Sequence, residues 1–459
     1  MSATTASVGG QVFWRGDDGY ERARLDAVWH ERKPDRHPAV VVVPATEQDV
    51  VDAVRMARER GLRIKACSGG HSFTCSSHRE GGMLIDLGAL TATTVDAAAG
   101  TATAQPGASG RLLNDQLLEH ELFFPTGHCQ SVALGGYLLQ GGWGWYSRVI
   151  GPACGSVTAI DVVTADGELI HADEHHHTDL LWAARGSGSG FFGVVTRFYL
   201  KCHPRPKSMM VGRYLYPVSL TEDVLYWLHA LTDEAPPGLE FMFHSRRRRT
   251  PDGVMIEGAP SPHVTGIAMF DSDAECEEAL ALLATCPVVD RAVESRTNVP
   301  TTLNGLYDAN AVVTLQRYAW VGDGLWTDAP AEELVPAFQE LCLDVASNAS
   351  YAFWYPWSKP EYPDCALSIT GKHYLAGFGA WTPPDDGGPY RDWLAGHLRR
   401  MEPLSKGIQL ADENLLDRPE SRYMTDVALT RLDAIRAQYD PDGRFYSYFY
   451  GEQDTPGPV

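Results

Sequence analysis

Apolar and polar positions alternate along this chain in two rhythms. Ala39-Val40-Val41-Val42-Val43-Pro44 is a short, unbroken apolar run that predicts a buried strand. Thr46-Glu47-Gln48-Asp49-Val50 opens a helix with a threonine N-cap and early acids, and Val50, Val54, Ala57 and Leu62 continue it at helical spacing. Arg63-Ile64-Lys65-Ala66 predicts a second strand, Gly82 to Leu87 a third, and Thr101-Ala102-Thr103-Ala104 another. Leu112, Leu113, Leu117 and Leu118 place a helix over Arg111 to Glu119, whereas Leu25 to His37 reads as irregular. Ile160 to Thr164 and Leu169-Ile170 form a hairpin about Asp166-Gly167; a short helix at Asp179 to Ala184 and a strand at Val194 to Leu200 follow.

Pro204 and Pro206 mark a change of composition. Beyond them, strands at Val211–Tyr216, Val264–Phe270, Val312–Trp320 and Tyr374–Trp381 alternate with amphipathic helices at Ala274–Thr285 and Ala331–Ala346. This pattern predicts an antiparallel sheet with helices on one face, an α+β arrangement. Aromatic residues crowd here, from Trp320 and Trp326 to Tyr351, Phe353, Trp354, Tyr355 and Trp357. Most belong in a core, and a minority should line a pocket for a flat apolar ligand. Tyr390–Arg400 and Thr425–Tyr439 read as helices, and Asp440-Pro441-Asp442-Gly443-Arg444-Phe445 as a closing turn.

With 459 residues, two or three domains are expected. The formal net charge of −21 argues against nucleic acid and anionic membranes as partners. The exception, Arg246-Arg247-Arg248-Arg249, adjoins the turn signal Thr250-Pro251-Asp252-Gly253 and reads as a solvated loop tip. Met1 to Gly10 shows no secretory pattern, and no apolar stretch is long enough to span a membrane. The nine cysteines are scattered without a CxxC pair, so neither a disulfide framework nor a zinc site is indicated and a cytoplasmic setting fits. Asp173-Glu174-His175-His176-His177 reads as a surface turn rather than a metal site.

Two glycine-rich stretches carry the chemistry. Cys67-Ser68-Gly69-Gly70-His71-Ser72 is too compact for a helix, and its glycines let backbone N–H groups approach a phosphate. Alone, it is most simply a turn with an incidental histidine. Between Gly127 and Gly144, however, six glycines fall in eighteen residues, a density that disfavours helix or central strand and suits backbone lying against a large planar ligand. Arg185 to Thr196 is a further Gly-rich loop running into a strand.

Taken in order, the Ser68–Ser72 loop, the Gly127-His128-Cys129…Gly135-Gly136…Gly141-Gly142-Trp143-Gly144 run, the Asp179–Thr196 segment and the Tyr439–Phe445 closing motif resemble the berberine bridge enzyme-like branch of the vanillyl-alcohol-oxidase superfamily, the FAD-linked oxidases. The resemblance implies a two-domain α+β fold of the PCMH type. Its FAD-binding domain would be residues 1–205 and its substrate-binding domain residues 206–405, with 406–459 returning to the first. It implies FAD held by Ser68, Gly69, Gly70, Ser72, Gly135, Gly136, Gly141, Gly142, Gly144, Gly193, Val194 and Val195. His71 would be joined to the flavin 8α carbon and Cys129 to C6, with surrounding N–H groups favouring the Cys129 thiolate. Cys67 stands where many relatives have arginine, and Cys67 and Cys154 read as packing residues.

Val132, three residues after Cys129, falls where relatives guard the flavin face; valine there implies oxygen access and an oxidase that releases hydrogen peroxide. Many relatives carry a base tyrosine in a Tyr-x-Asn-Tyr motif, which here is Asp412-Glu413-Asn414-Leu415. The candidate bases are therefore Tyr423, Lys372, His373, Tyr374, Glu413 and, last, Tyr318. The implied reaction is hydride transfer from an aromatic, secondary-metabolite or sugar-like alcohol to flavin N5, with a small organic molecule and O2 as partners. An amine oxidase or oxidative cyclase, or a flavin carrier with little turnover, stands as the alternative.

Overall fold

The computed structural model describes residues 8–247 and 258–451. The Val-rich run becomes β2 (Val40–Val43), preceded by β1 (Gln11–Trp14) and α1 (Tyr20–Asp26), which its weak periodicity conceals. Thr46 caps α2 (Glu47–Glu59) in a closed capping box: Thr46 Oγ1 accepts from Asp49 N at 3.2 Å, and Asp49 Oδ2 accepts from Thr46 N at 2.9 Å. Then come β3 (Ile64–Cys67) and β4 (Met83–Asp86), and these four strands form a sheet ordered β1-β2-β4-β3. A second, antiparallel sheet joins β5 (Thr93–Asp96), β6 (Thr101–Ala104), β8 (Val157–Val163), β9 (Leu169–Ala172) and β10 (Val194–Lys201), while the short β7 (Leu122–Phe123) pairs with β11 (His203–Pro204). Between them lie α3 (Gly110–Leu118), α4 (Leu134–Leu139), α5 (Ser147–Ile150) and α6 (Thr178–Ala184). Val40, Val54, Ile85, Ile160 and Phe198 meet in one core shared by both sheets.

Gly135 and Gly136 sit inside α4, so the glycine run does form helix locally. Its six residues stay helical because Leu134 and Leu138 are buried in that shared core, and packing outweighs a cost of roughly 1 kcal/mol for each of the two glycines.

The second half is a seven-stranded antiparallel sheet in the order β15-β12-β14-β13-β17-β18-β16. Its strands are β12 (Ser208–Leu215), β13 (Leu239–Arg246), β14 (Ser261–Phe270), β15 (Glu294–Pro300), β16 (Ala319–Thr327), β17 (Tyr351–Pro356) and β18 (His373–Trp381). Helices α7 (Thr221–Glu234), α8 (Asp273–Ala281), α10 (Ala331–Leu343) and α11 (Gly388–Met401) cover one face, where Leu225, Leu280, Phe338, Trp354, Leu375 and Leu394 form a second core. The opposite face carries Met242, Ile267, Trp320, Trp326, Tyr351, Tyr355, Tyr374 and Phe378. The fold is thus the two-domain α+β type, with α9 (Leu303–Ala311) linking the sheets and α12 (Asp426–Tyr439) packing Leu432 and Ile435 back into the first core.

The strand expected over Val312–Trp320 starts only at Ala319; residues before it end α9 and turn, which removes Tyr318 from the sheet. Arg246 closes β13 rather than lying in a loop tip, and residues 248–253 of the arginine run and its turn lie outside the described residues. A buried ion network ties the segment after α11 to the sheet. Arg418 Nε donates to Asp323 Oδ2 at 2.7 Å, and its Nη1 to Glu402 Oε2 at 2.8 Å.

Candidate active site

The loop after β3 is shaped by close backbone contact. Gly70 has φ +66°, and a Cβ there would sit 2.5 Å from Ala27 O, so only glycine fits. Its carbonyl accepts from Trp29 N at 3.0 Å, and the Trp29 ring stacks on the His71 imidazole with centroids 4.4 Å apart. The stretch from Cys129 to Ala133 is pressed against this loop: a Cβ on Gly69 would lie 3.0 Å from Ala133 Cβ, and His71 Nε2 pairs with Ser131 Oγ at 3.1 Å.

His71 and Cys129 line the same cavity, of about 1040 Å³. Enclosure away from bulk water pushes the His71 pKa down to about 4, so the imidazole is neutral at physiological pH. The same enclosure pushes the Cys129 thiol up to about 11, against the opposing pull of Asn310, whose Nδ2 donates to Sγ at 3.3 Å. The expected thiolate is therefore overturned: burial outweighs the polar neighbours, and Cys129 rests as a thiol.

The far wall is the aromatic face of the seven-stranded sheet. Side chains alternate, so Tyr351, Phe353 and Tyr355 of β17 face the cavity while Ala352 and Trp354 face the helices. On β18, Tyr374 faces the cavity beside Trp326, their rings 5.0 Å apart. The Tyr374 hydroxyl donates to Asp412 Oδ2 at 2.7 Å. Asp412 also lines the cavity, and burial raises its pKa to about 6, with the Tyr374 hydrogen bond opposing. A carboxylate poised there can take a proton from a bound hydroxyl near neutral pH.

Residues 38–173 match the family described as FAD binding domain. An FAD-linked oxidoreductase, nodO, of Hypoxylon pulicicidum is 30% identical over 445 residues, covering 94% of this chain and 96% of that protein. An uncharacterized FAD-linked oxidoreductase of Bacillus subtilis, YvdP, is 34% identical over 464 residues, covering 95% and 96%. Among solved structures, 6-hydroxy-D-nicotine oxidase from Arthrobacter nicotinovorans superposes with a TM-score of 0.81 at 20% identity, covering 99% of this chain and all of that one. Physcomitrella patens BBE-like 1 does so at 0.81 and 18%, covering 98% and 97%. This chain belongs to the FAD-linked oxidoreductases.

The cavity fits the flavin dinucleotide that this family binds. Its volume lies at the upper end of ligand sites, and Gly136, at the wall, has open space where a Cβ would stand. Ser68, Gly69, Gly70, His71, Ser72, Cys129, Val132, Gly136, Gly144 and Gly193 all reach the wall. Five others stand behind it. A Cβ on Gly135 would overlap the Ser68 hydroxyl. Gly141 and Gly142, with φ of +103° and +79°, turn the chain out of α4. Val194 and Val195 are buried in β10, opposite Val163 and Val162, so they support the sheet instead of touching a ligand.

Of the candidate bases in this FAD-linked oxidoreductase, the structure brings only Tyr374 to the cavity wall. His373 is one residue off in the β18 alternation, so it faces the helices, where Nδ1 accepts from Trp354 Nε1 at 3.2 Å. Lys372 precedes the strand; its Nζ bonds Asp233 at 2.6 Å, beside a separate cavity of about 410 Å³. Glu413 turns inward to accept from Thr74 Oγ1 at 2.9 Å and Leu415 N at 3.1 Å, and burial lifts its pKa to about 7. Tyr423 packs on Tyr448, ring centroids 4.2 Å apart, and accepts from Tyr450. Tyr318 sits in the turn before β16 next to Arg317.

Sequence reasoning missed Asp412 and Asn310. Asp412 was legible: it occupies the first position of the altered Tyr-x-Asn-Tyr motif, where relatives place a tyrosine. Asn310, at the end of α9, carries no motif; only the fold brings it against Cys129. Among the described residues no helix is long and apolar enough to cross a membrane, and no group of three or more His, Cys, Asp or Glu is placed to hold a metal.

Proposed function

We propose that this chain is an FAD-dependent oxidase that carries its flavin on both His71 and Cys129, oxidises an alcohol carbon of a flat organic substrate, and releases hydrogen peroxide. The observation that carries this reading is the meeting of His71, Cys129 and the Tyr374–Asp412 pair on one cavity. FAD, when bound, supplies the hydride acceptor and the route for electrons to O2. The neutral His71 imidazole keeps a lone pair available for attachment, held by Trp29 stacking and Ser131. Asp412, ionised above about pH 6, accepts the substrate hydroxyl proton, directly or through the Tyr374 hydroxyl. The aromatic wall formed by Tyr351, Phe353, Tyr355 and Phe378 excludes water from that transfer and suits an aromatic or fused-ring alcohol over a bare sugar. Val132, on the wall three residues after Cys129, is proposed to leave O2 a path to the flavin.

The boundaries at 205/206 and 405/406 and a cytoplasmic setting belong to the same proposal; nine free cysteines support the latter, and the net charge of −21 supports the absence of a nucleic-acid partner. The test is a screen of aromatic alcohols, amines and oligosaccharides for peroxide release, with anaerobic flavin bleaching as a second readout. An alcohol that bleaches the flavin and yields peroxide supports the reading. Bleaching by amines alone would move it to an amine oxidase, and bleaching by nothing would leave a flavin carrier.

A further inference from the structure

The sheet that walls the cavity carries a straight row of side chains across its strands. Register pairs Arg296 of β15 with Arg213 of β12, Arg213 with Thr265 of β14, and Thr265 with Met242 of β13. Phe243 pairs with Trp354, which brings the next position, Met242, level with Tyr355; Tyr355 in turn pairs with Tyr374, and Tyr374 with Trp326. Every member of this row lines the cavity. One end of the row is cationic, the middle is neutral, and the other end is aromatic and holds the Tyr374–Asp412 pair.

The cationic end has charge to spare. Arg213 and Arg296, both solvent-exposed on the cavity wall, have no carboxylate partner among the described residues, and partial desolvation against the wall, followed by the charge of Arg296, pulls Arg213 below the usual guanidinium range. Of the carboxylates on the wall, Asp308 is bonded to Arg111 at 3.0 Å, Asp412 is at the aromatic end, and Glu294 is engaged in an interaction of its own. The histidines nearby add no competing negative charge, and His244 is held neutral by burial and by Arg246. In a chain of net charge −21, two adjacent guanidiniums facing a cavity are a local inversion of sign.

We propose that the substrate is elongated and bipartite, an alcohol-bearing apolar body at Tyr374 and an anionic group, carboxylate or phosphate, held between Arg213 and Arg296. This deepens the oxidase reading and rests on it. Arg213 and Tyr374 stand four strands apart, about 19 Å at ~4.8 Å per strand, so a molecule that reaches both ends of the row must be elongated. A guanidinium pair grips such an anion through forked, charge-assisted hydrogen bonds.

The experiment is calorimetric titration of the purified, flavin-loaded protein with 4′-(hydroxymethyl)biphenyl-4-carboxylate and with its uncharged primary amide. The acid is expected to bind at least about tenfold more tightly, about 1.4 kcal/mol, with an advantage that shrinks as salt is added. Arg213→Gln and Arg296→Gln should each erase most of that advantage by weakening the acid far more than the amide, and Arg213→Lys should retain part of it. Equal binding of acid and amide, an advantage that survives in the doubly substituted protein, or no binding of the acid would each overturn the proposal. A preference for the acid in protein whose flavin no alcohol or amine bleaches would sink the oxidase reading and leave the anion site standing.

Discussion

Tyr374 and Asp412, 38 residues apart in the chain, share a 2.7 Å hydrogen bond at the aromatic end of the cavity. The phenol donates and the carboxylate accepts, so the pair can hold one proton more or less without breaking apart. Burial sets the two groups against each other: it raises the phenol well above its ordinary value and the carboxylate only to about 6. The carboxylate is therefore the member that changes charge near neutrality.

A first expectation concerns pH. A base must be ionised to accept a proton, so turnover should fall as pH drops through about 6, where Asp412 protonates. Asp412→Asn should lower kcat by roughly 10²- to 10⁴-fold and remove that acid limb. Steady-state profiles of both proteins decide it; an unchanged limb in the variant would assign the titration to Glu413, whose pKa is about 7.

Flavin attachment gives a second. Wild-type protein precipitated in acid should keep its yellow colour in the pellet, each of His71→Ala and Cys129→Ala should retain one bond, and the double variant should release FAD. Because His71 is already neutral above about pH 4 and Cys129 is a thiol below about pH 11, the two bonds should form with different pH dependence in apoprotein mixed with FAD. In Cys129→Ala the rate should be flat from neutral pH upward, and in His71→Ala it should climb about tenfold per pH unit. Intact mass against time follows both.

Oxygen access gives a third. Val132→Leu should slow reoxidation of reduced flavin by O2 far more than anaerobic reduction by substrate. Stopped-flow measurement of both half-reactions checks this, and an equal loss in each would contradict the gating role.

Stability gives a fourth. Arg418 and Asp323 are both essentially excluded from solvent, and the guanidinium also holds Glu402. Arg418→Ala strands the Asp323 carboxylate and should cost about 3–5 kcal/mol, read as a lower denaturation midpoint. Activity should fall with it, since Arg418 anchors to β16 the segment that presents Asp412.

The sequence carried the strands and helices with clear periodicity, and it singled out His71, Cys129 and Val132, which the fold brings to one cavity wall, because each sits in a local motif. The rest needed the third dimension. Lys372, His373 and Tyr374 are consecutive, and only strand alternation tells which of them faces the ligand. Leu134 to Leu139 read as glycine-rich coil because its helix is held by distant Leu and Val side chains in the shared core. Cys129 was expected as a thiolate from the N–H groups around it, whereas burial in the folded cavity, against the opposing hydrogen bond from Asn310, raises it.

The strand that leads into the His71 loop is completed from the other end of the polypeptide. Ile64 N donates to Arg444 O at 2.8 Å, Tyr446 N donates to Ile64 O at 2.9 Å, and Lys65 Nζ donates to Tyr446 O at 3.1 Å across a separation of 381 residues. During synthesis, then, the ribosome must deliver nearly everything else before this strand finds its last neighbour. If the His71 loop takes up FAD as proposed, loading should follow translation, and a chain cut short of Arg444 should keep the loop sequence but lack these contacts beneath it.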